Sequence, residues 1–141
     1  MKYKIAAATI VIAVAGAGIW WTNRPAPVAA QTSATTAMVE VTLPDALSFM
    51  AEVGKTKFDA NCAQCHGANA AGQLGVAPPL VHIVYEPNHH GDESFQRAVA
   101  MGVRAHHWPF GNMPAVDGLN RDDVATIIAY IRELQRANGI N

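Results

Sequence analysis

The sequence predicts an all-α domain of three main helices joined by long loops, set behind an N-terminal hydrophobic helix. Three observations lead there. Apolar residues recur at helical spacing in three segments of the 141-residue chain, and no convincing pair of β-strands appears. The only two cysteines stand in Cys62-Ala-Gln-Cys65-His66. Two thiols three residues apart, followed at once by an imidazole, form the attachment pattern of c-type haem. The thiols add to the vinyl groups on one porphyrin edge as thioethers, and the turn between them delivers His66 to the iron as its proximal ligand. Long Gly/Pro-rich connections, unusual in a compact domain, are then expected to wrap one covalent haem that replaces part of the protein core.

From the N-terminus, residues 1–23 read as an export element. Lys2 and Lys4 precede an uncharged stretch from Ile5 to Trp21, closed by Trp20-Trp21 and followed by Arg24. As a single-pass anchor it is just long enough, and paired Trp suits a membrane–water interface. As a cleaved signal peptide it has the basic start, and Val28-Ala29-Ala30 resembles a small-residue cleavage site. The anchor is favoured because the apolar run exceeds an ordinary signal core. Lysines before it keep the N-terminus in the cytoplasm, which places the haem domain in the periplasm of a bacterial inner membrane; the alternative is a soluble periplasmic protein. Residues 24–42, rich in Ala, Thr, Ser and Pro, read as a flexible linker with a reach of roughly 25 Å, or as ending in a weak edge strand at Met38–Val41.

Residues 43–141 form the folded domain. A first helix is expected over about Ala46–Ala60, with Thr42 and Asp45 as a capping box and Leu47, Met50, Gly54 and Phe58 on one face. A second runs over about Glu93–Met101, capped by Asp92 and stopped at Gly102, with Phe95 and Val99 inward. The third follows Asn120, carries Asp122 and Asp123 at the positive end of its dipole, and ends at Gly139. Val124, Ile127, Ile128, Ile131 and Leu134 make its apolar stripe.

Other uses of the cysteine pair fit less well. Structural zinc needs four ligands, but there is no second cysteine pair, and His89-His90 and His106-His107 are adjacent rather than suitably spaced. A thioredoxin-like pair needs a preceding strand, which 55–61 does not provide. A plain disulfide would not require His66.

Over about Leu47 to Gln135 the pattern resembles a class I cytochrome c. Gly54 and Phe58 before the haem motif match that family's first helix, and Tyr130 matches the aromatic of its last helix, which crosses the first. Pro78-Pro79-Leu80 matches its haem-supporting loop. The resemblance implies that the Pro78 carbonyl accepts from Nδ1–H of His66 and that Leu80 lies in the haem environment. Gly111-Asn112-Met113-Pro114 falls where the family carries its distal ligand, so Met113 is implied on the far side of the iron, with a thioether that raises the potential. A bis-His haem using His106 or His107 is the competing reading. Met50 and Met101 read as core gap-fillers. His82 lies near the Pro-rich loop, and His89-His90 as a solvated turn. Trp108 is expected to pack on the haem edge or to donate its indole N–H to a propionate.

Beyond Arg24 the chain carries seven basic and eleven acidic residues, a balance of −4, which argues against a nucleic-acid partner. With both axial positions filled, no small-molecule substrate is expected. The function expected is that of a periplasm-facing monohaem carrier moving single electrons between respiratory or dehydrogenase partners, not an enzyme. It has a protein redox donor and acceptor, and a membrane contact through its N-terminal helix. Two alternatives stand beside it: a haem-bearing subunit of a larger oxidoreductase complex, and a ligand-binding or peroxidase-like haem protein in which Met113 is displaceable.

Overall fold

A computed structural model describes residues 36–141. The expected anchor and most of the expected linker therefore lie outside the described residues. Four α-helices follow in order: α1 (Phe49–Asn61), α2 (Ala63–His66), α3 (Asp92–Met101) and α4 (Arg121–Ala137). Two 3₁₀ turns, Ala68–Ala70 and Ile83–Tyr85, shape the connections. Among the described residues there is no strand, only isolated bridges at Gln73–Ala77 and Val103–Met113. None of the described helices is long and apolar enough to cross a membrane.

α1 begins three residues later than its apolar spacing predicts. Ser48 caps it, its Oγ accepting from Ala51 N at 3.3 Å. Thr42 lies well ahead of the helix and does not cap it; its N–H donates to Asn138 Oδ1 at 2.9 Å, and its carbonyl accepts from Asn138 Nδ2 at 2.8 Å. The buried face is Ala51, Gly54 and Phe58. Met50, expected inward, is 48% exposed, and Met101 is 71% exposed, so neither fills a core gap. The chain just ahead of α1 also lies against the domain. Met38 and Val39 donate to Ala71 O at 3.0 and 3.2 Å, Leu74 N donates to Thr36 O at 2.7 Å, and Val41 packs on the core.

α4 is the central element, buried through Val124, Ile127, Ile128, Tyr130, Ile131 and Leu134. Its start is a reciprocal capping box, with Asp123 N donating to Asn120 Oδ1 at 2.9 Å and Asn120 N to Asp123 Oδ2 at 3.0 Å, which satisfies two otherwise orphaned amides. It packs chiefly on α1. The crossing is tight at Gly54, where an added Cβ would overlap the Thr126 carbonyl and lie 3.0 Å from Ile127 N. One turn on, the Phe58 and Tyr130 rings meet with centroids 5.6 Å apart and planes tilted by 59°. The Tyr130 hydroxyl donates to Asn69 Oδ1 at 3.1 Å, pinning the loop after the haem motif.

α3 packs on α4 from another side. Asp92 lies inside α3 rather than capping it; Gly91 is the cap residue and offers no side chain. The Asp92 carboxylate is used elsewhere, accepting from Arg132 Nε at 2.9 Å.

Candidate haem site

The motif folds as one helical turn continuing from α1. Cys62 N donates to Phe58 O at 2.8 Å, and His66 N donates to Cys62 O at 2.9 Å. Residues i, i+3 and i+4 of such a turn share a face, so Cys62, Cys65 and His66 present both thiols and the imidazole to one side. Burial, reinforced by the nearby Cys65, pushes the Cys62 thiol up to about 11. At neutral pH it is therefore a protonated thiol.

His66 Nδ1 stands 2.9 Å from the Pro78 carbonyl. A carbonyl can only accept, so Nδ1 carries the proton and Nε2 is left with its lone pair. Burial holds the ring below the ordinary histidine value despite the opposing pull of that hydrogen bond. The free nitrogen is therefore unprotonated at neutral pH, as an iron ligand must be.

These groups open into a cavity of ≈ 550 Å³, also lined by Leu80, Trp108 and Met113. Its size falls within the range of roughly 300–1,000 Å³ common for cofactor sites. The wall behind is apolar, built from Phe58, Val99, Ile127, Ile128 and Ile131. Cys62, Cys65, His66, Pro78, Leu80, Trp108 and Met113, all singled out from the sequence, thus border one space, although they come from the Cys62–His66 turn and two separate loops.

Met113 reaches this space on a pinned loop. Val103 and Met113 exchange backbone hydrogen bonds at 2.9 and 3.0 Å, and Asn112 Oδ1 accepts from Ala105 N at 2.9 Å. Gly102 makes the pairing possible. Its φ of +74° favours glycine, and a Cβ there would stand 2.5 Å from the Met113 carbonyl. Trp108, inside the loop, stacks on Phe110 (centroids 6.0 Å apart, planes 8° apart) and meets His82 edge-on at 5.2 Å. Its indole Nε1 is buried without a hydrogen-bond partner. The Tyr85 phenol is its polar neighbour; burial raises that phenol's pKa against the influence of Trp108. A buried orphan donor is costly, and a carboxylate such as a haem propionate would satisfy it. Cavity size, an apolar wall, two thiols on one face, an oriented imidazole and an orphan donor together fit a c-type haem.

A family model for cytochrome c matches residues 51–135, more than half of the chain. The chain belongs to the cytochrome c family. Cytochrome c domains carry a covalent haem and transfer electrons between protein partners, and that chemistry applies to this domain. The cytochrome is also 61% identical over 36 residues to subunit CcoP of a cbb3-type cytochrome c oxidase from Azospirillum brasilense, a stretch covering 22% of this chain and 12% of that one. No solved structure matches the cytochrome.

Sequence reasoning missed the brace behind the cavity. Arg132, 8% exposed, and Gln135, 1% exposed, lie on the face of α4 that meets the 80–91 segment. Arg132 donates to Tyr85 O at 2.7 Å, His90 O at 2.6 Å and Gln135 Oε1 at 2.6 Å, and its guanidinium lies 5.0 Å from the Phe95 centroid. Gln135 Nε2 donates to Leu80 O at 2.8 Å and Tyr85 O at 3.0 Å. His90 is accordingly not part of a solvated turn. It is half-buried, with Nδ1 2.6 Å from Val84 O and its ring 5.1 Å from Tyr85.

Proposed function

We propose that this cytochrome is a monohaem, His66/Met113-ligated one-electron carrier of the class I type, held at the periplasmic face of a bacterial inner membrane by residues 1–23. The observation that carries the reading is that His66 and Met113, from two unconnected segments, border one cavity whose mouth also holds both thiols. A bound haem c supplies an iron that changes oxidation state by one electron. The chain's own work is to fix His66 through Pro78, to hold Met113 on the Val103 pairing, and to exclude water with the apolar faces of α1, α3 and α4. Rigid ligands limit reorganisation between oxidation states. The basic start, uncharged run and terminal Trp pair of residues 1–23 support an anchor, with signal cleavage as the alternative.

A second reading has its own support. The local identity to an oxidase subunit favours a haem-bearing subunit of a larger oxidoreductase complex over a free carrier. Redox titration of the membrane-extracted protein should follow a reversible one-electron curve under either reading. Mild detergent extraction separates them: a free carrier elutes alone, whereas stoichiometric co-purification with an oxidoreductase sinks the free-carrier reading. An intact mass that lacks the first 20–30 residues, a typical signal-peptide length, would exclude the anchor.

A further inference from the structure

Four histidines from two loops converge beside the haem cavity, and His90, His106 and His107 line it. His89 and His90 belong to the turn before α3, and His106 and His107 to the loop that leads to Met113. Ring centroids lie 4.6 Å apart for His89–His90, 5.3 Å for His89–His107, 5.2 Å for His90–His107 and 4.3 Å for His106–His107. One ring nitrogen from each of His89, His90 and His107 lies within 4.8 Å of the other two. Adjacent pairs in the sequence look unsuited to metal binding. The fold removes that objection by facing one pair toward the other.

We propose that His89, His90 and His107 form a binding site for a divalent late transition metal, Zn²⁺ or Cu²⁺, with His106 or water as the fourth ligand. Imidazole is a ligand type these ions favour. Tetrahedral zinc with Zn–N bonds of about 2.0–2.1 Å sets its nitrogens about 3.4 Å apart. Exposed His89 and His107 can close that distance by side-chain rotation. The site is also oriented from behind. The Val84 carbonyl holds the proton on Nδ1 of His90 at 2.6 Å, and the Arg104 carbonyl does the same for His106 at 2.7 Å. Each ring keeps Nε2 for a metal, as ligating histidines commonly do. Arg132 in turn fixes the His90 backbone. A bound ion would clamp the Met113-bearing loop to the turn before α3 without using either expected haem ligand.

The test is calorimetric titration of the haem-loaded protein, made without a polyhistidine tag, with Zn²⁺ and separately with Cu²⁺. Saturable uptake of one equivalent is expected, together with nitrogen hyperfine structure in the Cu²⁺ EPR spectrum. His89→Ala and His107→Ala should each weaken uptake at least about tenfold, and the haem spectrum should stay that of the parent. Absence of uptake overturns the site, as would be the case if these rings served haem carboxylates alone. Uptake that survives both substitutions, or that occurs only with loss of the parent haem spectrum, places the ion elsewhere and overturns it equally.

Discussion

Deleting the Arg132 side chain would strand the His90 carbonyl and the Gln135 amide oxygen, and leave the Tyr85 carbonyl with Gln135 Nε2 as its one remaining donor. Buried acceptors left without donors cost about 1–3 kcal/mol each before relaxation. Arg132→Ala should therefore destabilise the domain by about 2–4 kcal/mol in denaturant unfolding. Arg132→Lys should recover little, because one ammonium cannot reach the spread of acceptors that a guanidinium fork spans. Asp123 makes a different kind of contribution. The Lys57 ammonium, 2.6 Å away, and the bond to Asn120 hold its carboxyl below the ordinary aspartate value. A folded-state pKa below the unfolded one stabilises above about pH 4 and loses that contribution as pH falls through the lower value. Asp123→Ala should lower the melting temperature at pH 7, and the gap to the parent should close in acid. By contrast, the Arg121–Glu93 pair, whose side chains are 71% and 57% exposed, should matter little at any pH.

At the scale of elements, the α1–α4 crossing decides whether the haem turn is delivered in place. Gly54 lets the two backbones touch, and what a methyl would meet there is backbone, which cannot rotate away. Gly54→Ala should cost at least about 3 kcal/mol and sharply reduce the yield of haem-bearing protein, measured as Soret absorbance per polypeptide. α4 could be read from sequence almost to the residue. Its stripe is long, Asn120 and Asp123 announce the start, and Gly139 (φ +76°) follows its end. α1 could not be read so closely, because Thr42, Asp45 and Ser48 are all competent caps. Remote contacts hold the segment ahead of the helix, Asn138 on the Thr42 backbone and Glu133 on the Ser48 N–H, and no local pattern records them. The Arg132–Gln135 brace was hidden for a related reason. Both residues look like solvent-facing helix positions until a loop folds over them.

For the domain of residues 36–141 as a whole, the core residues Phe58, Leu80, Val124, Ile127, Ile128 and Ile131 also face the cavity. Seven residues gathered from the chemistry of a five-residue motif and a family resemblance all border that cavity, and they were legible because the proposed haem attachment would need specific groups at specific spacings. The histidine cluster needs no such local spacing and emerges only from tertiary structure. A chain that fails to attach haem loses the contacts that would line the apolar wall, and with them part of its stability. The Cys62→Ala/Cys65→Ala double variant should retain helical far-UV circular dichroism but show weakened near-UV signal and a broad, lowered thermal transition.

If His66 and Met113 close the iron from both sides, as proposed, absorption spectroscopy of the parent beside Met113→Ala reads that closure. The oxidised parent should show the near-red sulfur-to-iron charge-transfer band, and Met113→Ala should lose that band and bind CO or cyanide rapidly. A Met113→Ala spectrum identical to that of the parent would contradict the assignment of Met113, and with it the reading of this domain as a closed, six-coordinate electron carrier.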